Sequence, residues 1–293
     1  MLLASCTELP DGDGDDAELL AALRTAGLDA SWAPWDHIAP DEQALVVLRA
    51  TWDYTRRHAE FLRWAQQVPR LANPAAAVRF SSDKRYLLDL AADGVAVVPT
   101  TVVLPGATVP LPTTGPVREV VVKPSIGAGS DGAARFVEAL QARAHVAQLH
   151  AQGSAVLIQP FVASVDTAGE TAMVFLAGRR SHAFHKAAML APAGAPGERD
   201  PSGLFLIETL RPHAPSDAEW TLAGHALSAA AARCGLGRHD LLYARVDTLT
   251  GPAGPMVLEV ELVEPSLGWR QVPGPQRAAA LSGLVEAVRT LDA

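Results

Sequence analysis

Cysteine is scarce in this 293-residue chain, and the two that occur, Cys6 and Cys234, stand in no CxxC pair and no Cys/His cluster. That excludes a disulfide framework and a structural zinc site and leaves both as buried thiols. Basic residues are also short: 24 Lys and Arg face 32 Asp and Glu, for a formal charge of -8. A surface of that sign repels phosphate backbones, so no nucleic-acid partner is expected. No apolar run reaches the length of a membrane span, and the start MLLASC leads into acidic residues with no basic region. A cytoplasmic protein with no membrane partner is the expectation. Internal repeats are missing, as are the Gly-Lys-Ser/Thr ending of a Walker A loop and the Gly-x-Gly-x-x-Gly turn of a dinucleotide fold. The acidic turn ELPDGDGDD looks like the start of a calcium loop, but no Glu closes it at the required distance, and Leu19 and Leu20 follow instead.

What is present is a globular composition, 49% hydrophobic and 19% charged, in a length that supports two or three subdomains with cores of their own. The chain is organised around Glu119 to Phe136, EVVVKPSIGAGSDGAARF. Val120 to Val122 read as a buried strand ending in Lys123, and the loop bearing Gly127, Gly129 and Gly132 returns into a second strand near Arg135. Glycines let backbone N–H groups approach an anion unobstructed, Ser125 and Ser130 add donors, and Lys123 adds positive charge. The stretch is either a phosphate clamp or a hairpin whose glycines only serve a tight turn.

Before it, Leu2 to Ser5, Asp29 to Trp32 and Ala44 to Leu48 read as strands, and Asp16 to Ala26 as a helix ending at Gly27. Together they suggest a small open α/β subdomain, whose ligands would bind at the carboxyl ends of its strands. There lies Arg49-Ala-Thr-Trp-Asp-Tyr54, in which Trp52 and Tyr54 either cap a core or, with Arg49, Thr51 and Asp53, contact a substrate. Ser82-Asp83-Lys84 opens a helix through Ala92, where a lysine in the first turn opposes the helix dipole and needs another partner. Glu138 to His150 has helical amphipathicity, and Ala155 to Ile158 reads as a strand followed by Gln159-Pro-Phe-Val162. Thr171 to Leu176, Ser181 to Lys186 and Gly203 to Glu208 look like antiparallel strands, with a mobile Ala/Pro/Gly-rich loop over Ala191 to Pro201. Ser216-x-x-Glu219 is a capping box opening a long helix to Cys234. Leu241 to Val246 and Met256 to Val263 are strands bearing charges, closed by a helix from Pro275.

In a strand, residues two apart face one way, so Glu259 and Glu261 share a face. Burying two carboxylates without cations costs several kcal/mol, roughly, so the pair invites a hard divalent metal that Asp247 on a neighbouring strand completes. The alternative is a solvent-facing pair.

Taken in order, Asp83-Lys84, Val-Val-Lys123-Pro124 with its Gly/Ser loop, Gln159-Pro-Phe-Val162, Lys186, Arg245-x-Asp247 and Glu259-x-Glu261 resemble the ATP-grasp superfamily of carboxylate ligases over nearly the whole chain. The resemblance implies an α/β (α+β) ATP-grasp fold: an N-terminal Rossmann-like subdomain on the substrate side (1–78), then two lobes that clamp ATP, a central one with the glycine-rich loop (79–157) and a C-terminal one with the metal and substrate sites (158–293). It implies that Lys84 and Lys123 hold the α- and β-phosphates and that the Gly127 to Gly132 loop, with Ser125 and Ser130, closes over the γ-phosphate. It places the adenine edge against Gln159, Phe161 and Val162, the ribose on Asp166 or Glu170, and Mg²⁺ on Asp247, Glu259 and Glu261. Many members carry Asn where Glu261 stands, so this site has one more negative charge. Lys186 and Arg245 would be catalytic, spreading charge in phosphoryl transfer and on the tetrahedral oxyanion. The substrate, a small amino-acid-like acid, would meet Arg49, Thr51, Asp53, Tyr54 and Ser266.

Within the superfamily, LRATWDY, LANP, SSDKRYLLDLAADGV and VELVEPSLGW look like small ligases of secondary metabolism, some of which close a ring within one amino-acid substrate. Intermolecular ligation and nucleotide binding without turnover stay open as alternatives, as does the oligomeric state, a homodimer included.

Overall fold

The computed structural model describes residues 1–190 and 198–292. Most of the predicted loop Ala191 to Pro201 therefore lies outside the described residues. The N-terminal sheet is formed by β1 (Leu2–Ser5), β2 (Ser31–Pro34) and β3 (Val46–Leu48), all parallel in the order β2-β1-β3. Its alternating residues feed two cores: Leu3 and Val47 pack on one face with Leu19 and Leu23 of α1 (Leu19–Thr25), and Ala4, Val46 and Leu48 on the other with Phe61 and Trp64 of α2 (His58–Gln67). Burial on both faces is what a parallel sheet requires.

Two short helices follow, α3 (Ala75–Ser81) and α4 (Tyr86–Ala92). The helix expected from Ser82 to Ala92 thus begins only at Tyr86, and Lys84 sits in the joint between α3 and α4, its backbone N–H donating to the Ser125 carbonyl at 2.7 Å. This removes the dipole conflict, because Lys84 belongs to no helix.

The second sheet is antiparallel, β4-β7-β5-β6, built from β4 (Thr101–Val103), β5 (Pro116–Pro124), β6 (Ala134–Glu138) and β7 (Val156–Pro160). Val122, Val156 and Ile158 pack under Ala142, Val146 and Leu149 of α5 (Ala139–Ala151). Val121, Lys123 and Gln159 take the opposite face by strand alternation.

After α6 (Val165–Ala168), the third sheet runs β10-β9-β8-β11-β12 and is antiparallel throughout, with β8 at Glu170–Leu176, β9 at Arg179–Lys186, β10 at Leu210–Pro212, β11 at Tyr243–Gly251 and β12 at Gly254–Glu261. One face, carrying Met173, Phe175, Ala244, Val246 and Val260, is covered by the alanines of α7 (Asp217–Arg233). The capping box at Ser216 and Glu219 is present as expected. The other face is apolar at Ala172, Val174 and Tyr243, where α8 (Gly274–Asp292) covers it together with α1. Beyond that cover the same face turns charged.

Two expectations are corrected. Gly203 to Glu208 is not a strand: the Asp200 carboxylate accepts from the backbone N–H groups of Ser202, Leu204 and Phe205, winding the chain into a turn. The β12 alternation is also interrupted, because the register with β11 slips between Asp247 and Thr248 so that Leu258 is left over. That bulge lets Val257 join Val260 and Leu262 in the core while Leu258, Glu259 and Glu261 all face the cavity. Among the described residues no helix is long and apolar enough to cross a membrane.

Candidate active site

The second and third sheets face one another across a cavity. Its floor is the charged end of the third sheet, and strand register dictates the pairs: Glu170 lies opposite Lys186, Asp247 opposite Glu259, and Arg245 opposite Glu261. Lys186 Nζ lies 3.0 Å from Asp247 and 3.4 Å from both Glu170 and Glu208. Arg245 donates from Nε and Nη2 to the two Asp247 oxygens at 2.8 and 2.9 Å, from Nη2 to Glu261 at 2.7 Å and from Nη1 to the Ser266 carbonyl at 2.9 Å. Four of its five N–H groups are thereby used, and one on Nη1 remains. From the second sheet Lys123 reaches down to Glu259 at 2.9 Å, with Lys84 at 3.7 Å from the same carboxylate. Lys84 also donates to the Gly127 carbonyl.

Seven carboxylates line the cavity, Asp131, Glu170, Glu208, Asp247, Glu259, Glu261 and Glu264, against the four cationic groups Lys84, Lys123, Lys186 and Arg245. Their titration reflects that imbalance. Burial would raise both Asp247 and Glu259, but Arg245 and Lys186 hold the first below the usual carboxylate range, and Lys123 and Lys84 do so for the second. Glu261 is pushed up to about 7 by burial, with Asp247 and Glu259 adding to the rise against Arg245. Glu264 is pushed up to about 8 by burial and by Glu261.

A cavity with surplus carboxylates takes up a polyphosphate only with further positive charge. Asp247, Glu259 and Glu261, hard oxygen donors on adjacent strands, are the residues that could hold a divalent cation of the magnesium type. Among the described residues no three acidic, His or Cys side chains are already drawn together as a metal cage, because Lys123, Lys186 and Arg245 each hold one of the carboxylates.

The glycine loop forms the roof. Gly127, Gly129 and Ser130 line the cavity, whereas Ser125 is buried behind it, donating from its N–H to the Ala155 carbonyl at 2.8 Å. Gly129 has φ of +55° and its carbonyl accepts from the Leu206 N–H at 3.1 Å. A Cβ there would overlap Phe205 Cβ. Gly129→Ala is therefore expected to cost about 1–2 kcal/mol for the left-handed backbone alone and to unseat the loop, which hydrogen exchange would report as lost protection of the Leu206 amide. An unchanged Leu206 exchange rate would mean the loop does not depend on that close approach.

The remaining expected residues divide. Gln159, Phe161, Val162, Glu170 and Tyr54 line the cavity. The Gln159 amide donates to Thr100 Oγ1 at 2.9 Å. Asp166 is outside, paired at 2.9 Å with Arg135, whose guanidinium lies over the Phe161 ring. Three residues expected to meet substrate are turned into the N-terminal core instead. Arg49 pairs with Asp16 at 2.8 Å, Asp53 accepts from Trp35 Nε1 at 2.8 Å, and Thr51 is wholly buried. The reason is partnering inside the core: as the chain passes from β3 to the 3-10 turn Trp52–Arg56, Arg49 meets Asp16 and the Pro265 carbonyl, and Asp53 meets the Trp35 indole.

A second, more open cavity adjoins the first across Trp52, Gly129 and Glu208, and Ser266 lines it with Asp13, Asp15 and Arg270. Trp52, which lines both, was left by the sequence between capping a core and contacting a substrate, and its ring lies 4.7 Å from Phe205. Glu208, which also lines both, was missed by the sequence because it had no local signal, lying in a run that read as a plain strand.

Comparison with known proteins accords with this geometry. Residues 1–73 match the family model of the D-cycloserine synthetase DcsG N-terminal domain. The chain is 41% identical over 283 residues to the cycloserine biosynthesis protein DcsG of Streptomyces lavendulae, covering 91% of each. A crystal structure of D-cycloserine synthetase DcsG superposes with a TM-score of 0.81 at 36% identity, over 97% of this chain and 98% of that one. At fold level, a RimK domain ATP-grasp protein from Sphaerobacter thermophilus gives 0.62 at 15% identity, over 100% and 99% of the two chains. The D-alanine–D-alanine ligase of Bacillus anthracis complexed with ATP gives 0.63 at 14%, over 99% and 95%. The chain is an ATP-dependent ligase of the ATP-grasp fold and belongs to the D-cycloserine synthetase DcsG family.

Proposed function

We propose that this enzyme, with Mg²⁺ bound, phosphorylates the carboxylate of a small amino acid at the expense of ATP and lets a nitrogen of the same molecule displace the phosphate. This closes the ring of O-ureido-D-serine, whose carbamoyl group leaves by hydrolysis to give D-cycloserine in antibiotic biosynthesis. The observation that carries the reading is the row of cross-strand charged pairs at the end of the third sheet, lying under a glycine loop in a chain so similar to a cycloserine biosynthesis protein.

In this reading the segments 1–78, 79–157 and 158–293 work as a substrate-side unit and two nucleotide lobes. Lys84 and Lys123 face the phosphates, the hinge 159–162 receives the adenine, and Glu170, the acid of the two candidates that lines the cavity, meets the ribose. Mg²⁺ on Asp247, Glu259 and Glu261 would neutralise phosphate charge and draw electron density from the transferred phosphorus. Lys186, held among three carboxylates, spreads charge as the phosphoryl group moves. The remaining Nη1 N–H of Arg245 stabilises the oxyanion formed when nitrogen attacks. The Gly127 to Gly132 roof keeps water from the activated acid. Substrate would enter by the second cavity, with Trp52 and Tyr54 at the junction and Ser266 beyond.

Incubation with ATP, Mg²⁺ and O-ureido-D-serine should release ADP and give a ring product by mass spectrometry with no second amine supplied. A product mass joining two amino acids would replace cyclisation by intermolecular ligation. Absence of ADP across a panel of amino acids would end the ligase assignment of this site. Lys123→Met keeps the apolar stem and removes the charge. ATP binding by calorimetry should weaken by about 1.5–3 kcal/mol, the range of a charge-assisted contact, and unchanged binding would leave Lys123 as a partner of Glu259 only.

A further inference from the structure

The turn that follows β12 is held by a carboxylate from the other end of the chain. Backbone N–H groups of Leu267, Gly268 and Trp269 donate to Asp15 at 2.8, 2.8 and 2.9 Å, and Ser266 Oγ donates to it at 3.1 Å. Three successive N–H groups converging on one point form a nest that requires an anion. Gly268 completes it with φ of +64°, where a Cβ would strike the Phe184 ring. The carbonyls of the same turn point the other way and each has a different donor: Arg49 on Pro265 at 3.0 Å, Arg245 on Ser266 at 2.9 Å, and His182 on Leu267 at 2.6 Å. Asp15 therefore holds the N–H edges of the Ser266–Leu267 and Leu267–Gly268 peptide planes, whose carbonyl edges hold Arg245 and His182.

Among the described residues Ser266 O is the one uncharged acceptor on Arg245; the others are the Asp247 and Glu261 carboxylates. Were those carboxylates to hold a cation, the guanidinium would share them with it, whereas the Ser266 carbonyl would keep its hold on Arg245. It occupies one Nη1 N–H and so sets the direction of the other, which is left for the cavity.

We propose that Asp15 is a positioning residue for Arg245, acting through the 266–269 nest and the Ser266 carbonyl, so that an acidic turn of the N-terminal unit aims the guanidinium of the ligase site. The catalytic half of this inference rests on the proposed function; the positioning half does not.

The test uses the full chain with ¹⁵N-labelled arginine and the variants Asp15→Ala and Asp15→Asn. The Arg245 side-chain resonances are assigned by their disappearance in Arg245→Lys. Asp15→Ala should broaden or shift the Arg245 Nη signals with no nucleotide present. With ATP and O-ureido-D-serine it should lower kcat by about tenfold to a hundredfold, the scale of a small misplacement of a reacting group, while the KM for ATP stays within about twofold, since a group felt only in the transition state leaves ground-state binding alone. Asp15→Asn, which keeps one acceptor oxygen, should fall between, and it serves in place of Asp15→Ala if that variant does not fold. Unaltered Arg245 signals overturn the inference. A loss of kcat matched by an equal loss of ATP binding makes Asp15 merely structural and overturns it as well. If the wild-type chain releases no ADP, the proposed reaction fails, and the resonances still decide the positioning.

Discussion

Lys186→Met is expected to lower stability by about 3–5 kcal/mol, the cost of leaving buried carboxylates without their cation, and to lower ADP release by about a hundredfold or more, as for loss of a charge-stabilising donor. Lys186 is buried and its ammonium lies within 3.4 Å of Glu170, Glu208 and Asp247. Burial opposes its charge, but the three carboxylates hold its pKa well above the ordinary lysine value, so it stays cationic throughout the usable pH range. Met keeps the stem and removes the charge, and denaturant midpoints would read the first effect. Adding Glu208→Gln removes one of the stranded carboxylates and should recover part of the stability but none of the turnover. If stability is unchanged in Lys186→Met, the carboxylates are neutralised by some other means.

Arg49→Met should destabilise the fold by about 3–5 kcal/mol as well, with no selective effect on the KM of the acid. Arg49 and Asp16 form a pair wholly removed from solvent, and the guanidinium also donates to Pro265 O and lies 5.1 Å from the Tyr243 ring centre. Without it Asp16 keeps only the Trp269 indole donor, at 3.2 Å. Replacing both partners by apolar residues, Arg49→Met with Asp16→Leu, should restore most of the loss, because the pair repays little more than its own desolvation. An intact fold with a raised KM for the acid would instead return Arg49 to the substrate site.

These two residues show how unevenly the site was written into the sequence. Glu259 and Glu261, with Asp247 on the neighbouring strand, were legible because strand alternation converts spacing into facing: two residues apart means one side, and charged residues amid Val and Leu have to be explained by a partner or a ligand; Lys186 and Arg245 were placed only by the resemblance to the ATP-grasp superfamily. Lys123 and its glycines were legible as a buried strand ending in a cation before three glycines, a pattern that by itself fits a phosphate clamp and a plain tight turn alike. Arg49, Thr51 and Asp53 were misplaced because a position after a parallel strand marks where a ligand could lie but not which way each side chain turns, and the core partners that turn them inward, Asp16 and the Pro265 carbonyl for Arg49 and Trp35 for Asp53, lie elsewhere in the chain.

The sequence by itself determined the elements and their charged edges: the parallel N-terminal strands, the capping box at Ser216, the hairpin around the glycine loop, and which face of β11 and β12 carries charge. Those properties are local, set by periodicities of two and about 3.6 residues and by turn chemistry within a few positions. Tertiary structure alone decided which charge meets which. It brought Lys84 and Lys123 to Glu259 across more than a hundred residues, freed Lys84 from a helix start, slipped β12 by one residue at Leu258 and wrapped the 266–269 turn around Asp15. Each of these depends on how two sheets and the N-terminal unit pack. The energy of a buried ion pair or an anion nest depends on distance and desolvation, neither of which is encoded in the spacing of residues along the chain.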